Sequence, residues 1–274
     1  MYIILSICMF IDKSIKRRIY FIMGMQDYTI AEEFVLPSHG KVYIDRQVND
    51  HIRLRSMTTN EEMKRLRPNE RQYKNMADVI DSCMIDDPGI SSYDMCIADY
   101  QYLMHKLRVV TYGSDYPLMC SCPYCLSQQQ ETLNLDELEY KEYSDKINQY
   151  MEFDLPVTKK HITLRMQTPR VLDDVTVAVN SDKKRNNGDQ SGSALLYTLR
   201  YLIKEIDGQT IDPIKMEDIV KNMPMRDTNT IMKNAQKAVD CMGLVDDVTI
   251  ICNTCGMTYK SPFRVTSEFF GPQI

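Results

Sequence analysis

Apolar and polar positions along the chain alternate in short stretches, then switch to helical spacing, and the sequence does this twice. Ile52-Arg53-Leu54-Arg55 and Ile162-Thr163-Leu164-Arg165 each put two apolar side chains on one face of an extended segment, which predicts a short strand with one buried face. After each strand a threonine precedes an acidic, helix-forming run, in the position of an N-cap. Thr58 or Thr59, followed by Glu61 and Glu62, has the capping-box arrangement that satisfies the free amides of a first turn.

The echo extends further upstream. Phe34, Leu36 and Pro37 align with Phe153, Leu155 and Pro156; Ile52, Leu54, Arg55, Met57 and Thr58 align with Ile162, Leu164, Arg165, Met166 and Thr168, the last two after a one-residue slip. The first copy carries the longer connection. The pattern predicts an internal repeat, each copy a strand or hairpin followed by helices.

Helical spacing continues over Asn69–Ile85 and Ser92–Val110, separated by the turn signal Asp87-Pro88-Gly89. In the second copy, Leu195, Leu196, Leu199, Leu202, Ile203 and Ile206 predict a buried helix over Ser193–Gly208, with Gly208 as its stop. Two shorter helices are expected over Met216–Met223 and Thr228–Gly243. The polar stretch Asn180–Ser193 reads as a loop.

Composition narrows the class. The chain has 274 residues, 43% hydrophobic and 26% charged, with a formal net charge of −5. That is a globular profile without the concentrated Lys and Arg that duplex DNA or an anionic membrane requires. Tyr2–Ile11 is an apolar run too short to span a bilayer, and its basic residues Lys13, Lys16, Arg17 and Arg18 follow it where a signal peptide would have them in front. A buried or interfacial helix, a membrane-touching segment and an upstream extension with the true start at Met23 or Met25 are the readings. The last is favoured, because globular patterning begins only at Tyr28, and no stable membrane insertion is expected.

Nine cysteines in a chain of this size point to a reducing compartment and a metal site rather than to disulfide staples. Cys122-x-x-Cys125 and Cys252-x-x-Cys255 close the two copies, and each is followed by a strand-like run, Glu131–Tyr140 and Thr258–Phe270. Two such knuckles supply the usual tetrahedral four-thiolate set of structural Zn2+, here a zinc ribbon joining the copies. Free thiols and a disulfide or redox pair are the competing readings, and Cys120 competes with Cys122 as ligand. Cys83, Cys96 and Cys241 lie in helical patterns and read as small buried hydrophobes; Cys8 is uninformative.

Nothing else in the sequence suggests an active site. His39, His51, His105 and His161 are scattered and read as surface or satisfied histidines, and Asp94 and Asp99 as solvated helix faces or caps. A phosphate-binding glycine loop, a nucleophile elbow and a specific carboxylate pair are all lacking. The fold class is therefore α+β, with an extension at 1–24, a first α+β unit at 25–119, the first knuckle and hairpin at 120–150, a second α+β unit at 151–250, and the second knuckle with a terminal strand at 251–274. No enzymatic activity and no small-molecule substrate are expected.

The stretches FVLPSHGKVY, IRLRSMTTNEE and ADYQYLMHKLRVVTYGSDYPLMCSCPYC resemble the baseplate hub and hub-assembly proteins of T-even-type contractile-tailed bacteriophages, over Tyr28 to Cys125 best. The resemblance implies a non-enzymatic role with other phage baseplate and tail hub proteins as partners, in the virion tail and in the host cytoplasm during assembly. Exposed edges of the two Leu-Pro hairpins and the loop 41–49 are then candidate contacts. The alternative is a zinc-ribbon nucleic-acid or transcription accessory protein, for which Lys183, Lys184 and Arg185 form the basic cluster. A thiol redox enzyme is a third reading.

Overall fold

A computed structural model describes residues 30–185, 193–245, 247–263 and 267–270. The expected extension at 1–24 lies outside them. The alternating segment around Ile52 is strand β2 (His51–Arg55), paired antiparallel with β1 (Ala31–Val35), Phe34 opposite Ile52. Ile52 and Leu54 face inward, as the alternation requires.

Thr58 caps helix α1 (Thr59–Arg65), with the Glu61 carboxylate accepting the Thr58 N–H at 2.9 Å. Arg55 donates to Glu61 at 3.0 Å, and chiefly that hydrogen bond holds the Glu61 pKa down to about 2. Helices α2 (Gln72–Cys83) and α3 (Ile97–Tyr112) follow. The helix expected from Ser92 thus starts later: Tyr93 and Met95 are buried in a turn, and the Ile97 N–H donates to the Gln167 carbonyl at 2.9 Å.

Strands β3 (Asp115–Ser121) and β4 (Gln128–Asn134) form a hairpin, and β5 (Tyr140–Lys141) and the short helix α4 (Asn148–Met151) lead to β6 (Glu152–Asp154) and β7 (His161–Leu164). Phe153 stands opposite Ile162, in the register that Phe34 and Ile52 adopt. The turns agree as well: the Leu36 N–H donates to the Asp50 carbonyl at 2.8 Å, the Leu155 N–H to the Lys160 carbonyl at 2.9 Å. Helix α5 (Pro169–Arg185) begins behind Thr168, whose hydroxyl accepts the Val171 N–H at 3.2 Å. It includes 180–185, expected as loop; 186–192 lie outside the described residues.

The helix expected over Ser193–Gly208 is two elements. Helix α6 (Ser193–Leu202) passes directly into strand β8 (Ile203–Ile206), the third strand beside β7. In a regular strand, residues three apart face opposite sides. Here an irregularity opposite Thr163/Leu164 shifts the register, so Ile203 and Ile206 both point into the core and mimic helical spacing. Gly208 is not a helix stop: with Asp207 it occupies a tight turn in which both residues have positive φ, and Ile206 and Gln209 exchange backbone hydrogen bonds at 3.0 Å.

Helices α7 (Pro213–Lys221) and α8 (Met225–Asp240) match expectation. Strand β9 (Gly243–Leu244) pairs with β5, and β10 (Asp247–Ile251) with β11 (Thr258–Pro262). The strand expected up to Phe270 stops at Pro262, and Ser267–Phe270 is a 3-10 turn that sends Phe269 and Phe270 inward. Arg108 of α3, fully buried, donates to the Phe269 carbonyl at 3.0 Å and fixes this end of the chain.

Among the described residues, beside a small cluster of Cys96, Ala98 and Met242, two large buried cores result. One gathers β2, α2 and α3 with Val248, Ile250, Tyr259 and Phe263 of the second ribbon hairpin; the other gathers β7, β8, α6, α7 and α8. Helix α5 touches both: Asp173 accepts the Tyr93 hydroxyl at 2.9 Å and the Tyr73 N–H, Arg71 pairs with Asp174 at 2.6 Å, and Asp182 accepts the Tyr197 hydroxyl of α6 at 2.7 Å. Among the described residues no helix is long and apolar enough to cross a membrane.

Candidate metal centre

Each C-x-x-C sits in the turn of a hairpin, where the chain must reverse and its amides point inward. In the first knuckle the Leu126 N–H donates to the Cys122 carbonyl at 3.0 Å and the Cys122 N–H to the Ser127 carbonyl at 2.9 Å. In the second, the Gly256 N–H donates to the Cys252 carbonyl at 2.8 Å and the Cys252 N–H to the Met257 carbonyl at 2.9 Å. The knuckles share this hydrogen-bond pattern, and both residues after the second cysteine, Leu126 and Gly256, have positive φ.

The hairpins bring all four sulfurs within 4.8 Å of one another, 122–125 and 252–255 in sequence notwithstanding the long separation. Cys122 Sγ lies 3.7 Å from Cys255 Sγ, and Cys125 Sγ 3.6 Å from Cys252 Sγ. A tetrahedral zinc with Zn–S bonds of ~2.3 Å needs edges of about 3.8 Å. The residues fit the ion. Cys120 is excluded from the set: it is buried in β3, with its thiol directed at the Leu118 carbonyl. The spacing that matters is that of the turn, and Cys120 lies before it.

Ser127 and Gln129 complete the site, and sequence reasoning named neither. The Ser127 hydroxyl lies 3.3 Å from Cys252 Sγ and 3.1 Å from Cys125 Sγ. Gln129 joins the hairpins, donating to the Ile251 carbonyl and accepting the Asn253 N–H, both at 2.9 Å. The Ser127 hydroxyl, then the Cys255 and Thr254 amides, pull Cys252 down to about 5. At Cys255 the Met257 amide acts in the same sense, but burial and the three neighbouring sulfurs outweigh it and push the thiol up to about 12. Four sulfurs this close cannot all ionise without a cation among them.

A family comparison decides the wider context. The family model for T4 bacteriophage base plate protein matches residues 28–271. The chain belongs to this family. No curated protein and no solved structure matches it. Membership places the chain among phage baseplate structural proteins, and the match takes in both knuckles and both hairpins.

Elsewhere in this baseplate chain the polar residues act on the backbone. Asp99, expected on a solvated face or as a cap, is fully buried at the third position of α3 and accepts the Ser38 N–H at 3.0 Å, the Ser38 hydroxyl at 2.5 Å and the Tyr43 hydroxyl at 2.6 Å. Asp227, at the third position of α8, does the same for the other Leu-Pro turn, accepting the Val157 and Thr158 N–H groups at 2.8 and 3.0 Å. Burial pushes the Asp99 carboxyl above its usual pKa, against the Ser38 and Tyr43 donors. Burial acts on Asp227 too, but two backbone amides outweigh it and leave its pKa lowered. Asp94 pairs with Arg170 at 2.5 Å, linking the first unit to α5.

The histidines take no part in the centre. His51 pairs with Glu33 at 3.0 Å and His161 with Asp154 at 2.9 Å, while His39 lies 3.5 Å from Asp50. His105 departs from the expected surface or satisfied histidine: it is buried, its Nδ1 meets the Tyr140 hydroxyl, and its Nε2 has no partner among the described residues. Burial drives its pKa to about 3, so the ring is neutral. Cys83 and Cys96 are buried as expected; Cys241, at the end of α8, is only half-buried.

Proposed function

We propose that the chain is a component of the central hub of a contractile-tail baseplate, or a factor that assembles that hub, and that one structural Zn2+ on Cys122, Cys125, Cys252 and Cys255 fixes its shape. The match to the base plate family over residues 28–271 carries the reading. The sulfur geometry supports the metal, because a closed four-thiolate set leaves no open position for a substrate or water and suits a staple rather than a catalyst. The partners are other baseplate and tail hub proteins, met in the host cytoplasm during assembly and in the virion tail.

The docking elements proposed are the outer edge of β1 and the loop 41–49. Met84 and Ile85 cover part of β2, leaving β1 as the edge that accepts a further strand. In the loop, Tyr43 is anchored on Asp99 while Ile44 projects 91% exposed. The nucleic-acid alternative draws less support: Lys183, Lys184 and Arg185 form the last turn of α5, where cations suit the helix dipole, and Lys184 pairs with Glu70 at 3.7 Å.

Reconstitution with the phage's other hub proteins, with elemental mass spectrometry on the purified chain, tests both parts. Stoichiometric zinc and a complex weakened by Ile44→Asp are expected. Salt-dependent binding to nucleic acid with no hub complex would overturn the reading.

A further inference from the structure

A cleft of about 880 Å³ opens between the α1–α2 connection, α3 and the C-terminal turn, on ground the metal centre does not touch. Arg65, Arg67 and Arg71 stand along it, and the half-buried Tyr73, Met104 and Leu244 are its accessible apolar lining. No Asp or Glu among the described residues lines it, in a chain with 38 acidic residues against 33 basic ones. That is a local reversal of the molecule's charge. Arg65 and Arg71 are steadied by Glu62 and Asp174, each at 2.6 Å, neither of which lines the cleft; Arg67 is exposed and has no ion pair among the described residues. His105 lines the same space with its buried, unpartnered Nε2.

We propose that this cleft binds an acidic peptide segment of a neighbouring baseplate protein, two or more Asp or Glu side chains meeting the arginines and an apolar side chain meeting the apolar lining. The inference rests on the assembly role proposed above and names the chemistry of one partner. Guanidinium groups recognise carboxylates through paired hydrogen bonds; Arg65 already gives such a pair to Glu62, so Arg67 and the remaining donors of Arg71 are the ones a peptide carboxylate meets. The volume lies in the range of pockets that enclose a ligand or a short peptide. A nucleic acid fits less well, because the net charge is −5 and the basic lining is confined to three arginines.

The test is fluorescence anisotropy with the full chain and short synthetic peptides tiled across the phage's other tail proteins and across this chain itself. Peptides rich in Asp and Glu around an apolar residue are expected to bind, to weaken with salt, and to lose at least about tenfold in affinity with Arg67→Glu/Gln72→Glu. Both substituted positions are exposed, so zinc content and melting should stay unchanged. The proposal is overturned if no acidic peptide binds, if the double variant binds them equally, if the best peptide comes from this chain, or if only oligonucleotides bind. A hub complex that still forms in the absence of peptide binding would sink the cleft and leave the assembly role standing; loss of both would sink both.

Discussion

The core built on β1–β2 draws Val248, Ile250, Tyr259 and Phe263 from the far end of the chain, whereas the core built on β6–β7 is completed by β8, α6, α7 and α8 from its own neighbourhood. Both begin from a two-stranded hairpin in the same register, and a lone hairpin is marginal without more strands or packing. The second region adds a third strand locally. The first is closed by the ribbon, so its stability is tied to a contact between distant segments. The four-cysteine cluster joins the hairpin that follows the first unit to the one that follows the second, and both hairpins pack on the first core.

The largest effect should come from Cys252→Ser. Structural zinc is worth roughly 10–16 kcal/mol of apparent binding energy, comparable to the ~5–15 kcal/mol that holds a whole domain. Native-state hydrogen exchange on the variant should lose protection over β2 and α3 while retaining it over α6 and β8. Simultaneous collapse of both regions would make them one cooperative unit and end the distinction.

Next in size is Asp173→Ala, at the joint between the cores. Asp173 is 1% exposed, and its loss leaves the Tyr73 N–H without its acceptor, at about 1–3 kcal/mol, while the Tyr93 hydroxyl keeps Arg71 as a donor at 3.1 Å. Urea melts followed separately by tyrosine fluorescence and by exchange in α6 should part into two transitions. A single transition at an unchanged midpoint would remove α5 as the coupling element.

Asp99 and Asp227 sharpen the comparison, because the same helix position does the same task with different donors. Asp227→Asn must turn an amide NH2 toward a backbone N–H of Val157 or Thr158, two donors facing each other, and should cost about 1–3 kcal/mol. Asp99→Asn can present its NH2 to the Ser38 and Tyr43 hydroxyls, which also accept, and should cost less. The pH dependences are opposed. Asp227, with its lowered pKa, contributes stability above the ordinary carboxylate pKa, lost as pH falls through its folded value. Asp99, with its raised pKa, contributes below the ordinary value and loses this as pH rises through its folded one. Urea titrations of both variants from acid to neutral pH would read this directly, and parallel curves would contradict it.

How far the sequence reveals these features depends on the range of the interaction. The strands at Ile52 and Ile162, the cap at Thr58 and the two C-x-x-C turns are written in spacings of a few residues, and the structure shows each; that the two turns meet is a contact between distant segments. Ile203 and Ile206 misled because Lys204, between them, is an extra residue without a partner on β7, and that irregularity is set by pairing with the distant Thr163 and Leu164. Asp99 and Asp227 look like ordinary first-turn acids, since the amides they bind are brought near only by the fold. Ser127 and Gln129 had a signal of a kind: polar residues immediately behind a knuckle stand where a second hairpin can be reached.

The smallest effect concerns the residue that follows the second cysteine of each knuckle, leucine in the first and glycine in the second. Leu126 has φ of 61° and Gly256 of 71°, a left-handed conformation that costs an ordinary side chain roughly 1–2 kcal/mol. Leu126 is 80% exposed, so shortening it loses little packing. Leu126→Gly should relieve that strain but add about 0.5–1 kcal/mol of unfolded-state entropy, leaving a gain of up to about 1 kcal/mol. Gly256→Ala meets no atom within 4 Å of the new Cβ, so its cost is that of the backbone alone and should equal the Leu126 gain in size with opposite sign. Melting temperatures of the two zinc-loaded variants test this pair. Equal shifts of opposite sign would mean that the knuckles are energetically interchangeable; a loss confined to Gly256→Ala would mean that the left-handed conformation costs Leu126 no more than the entropy glycine adds to the unfolded chain.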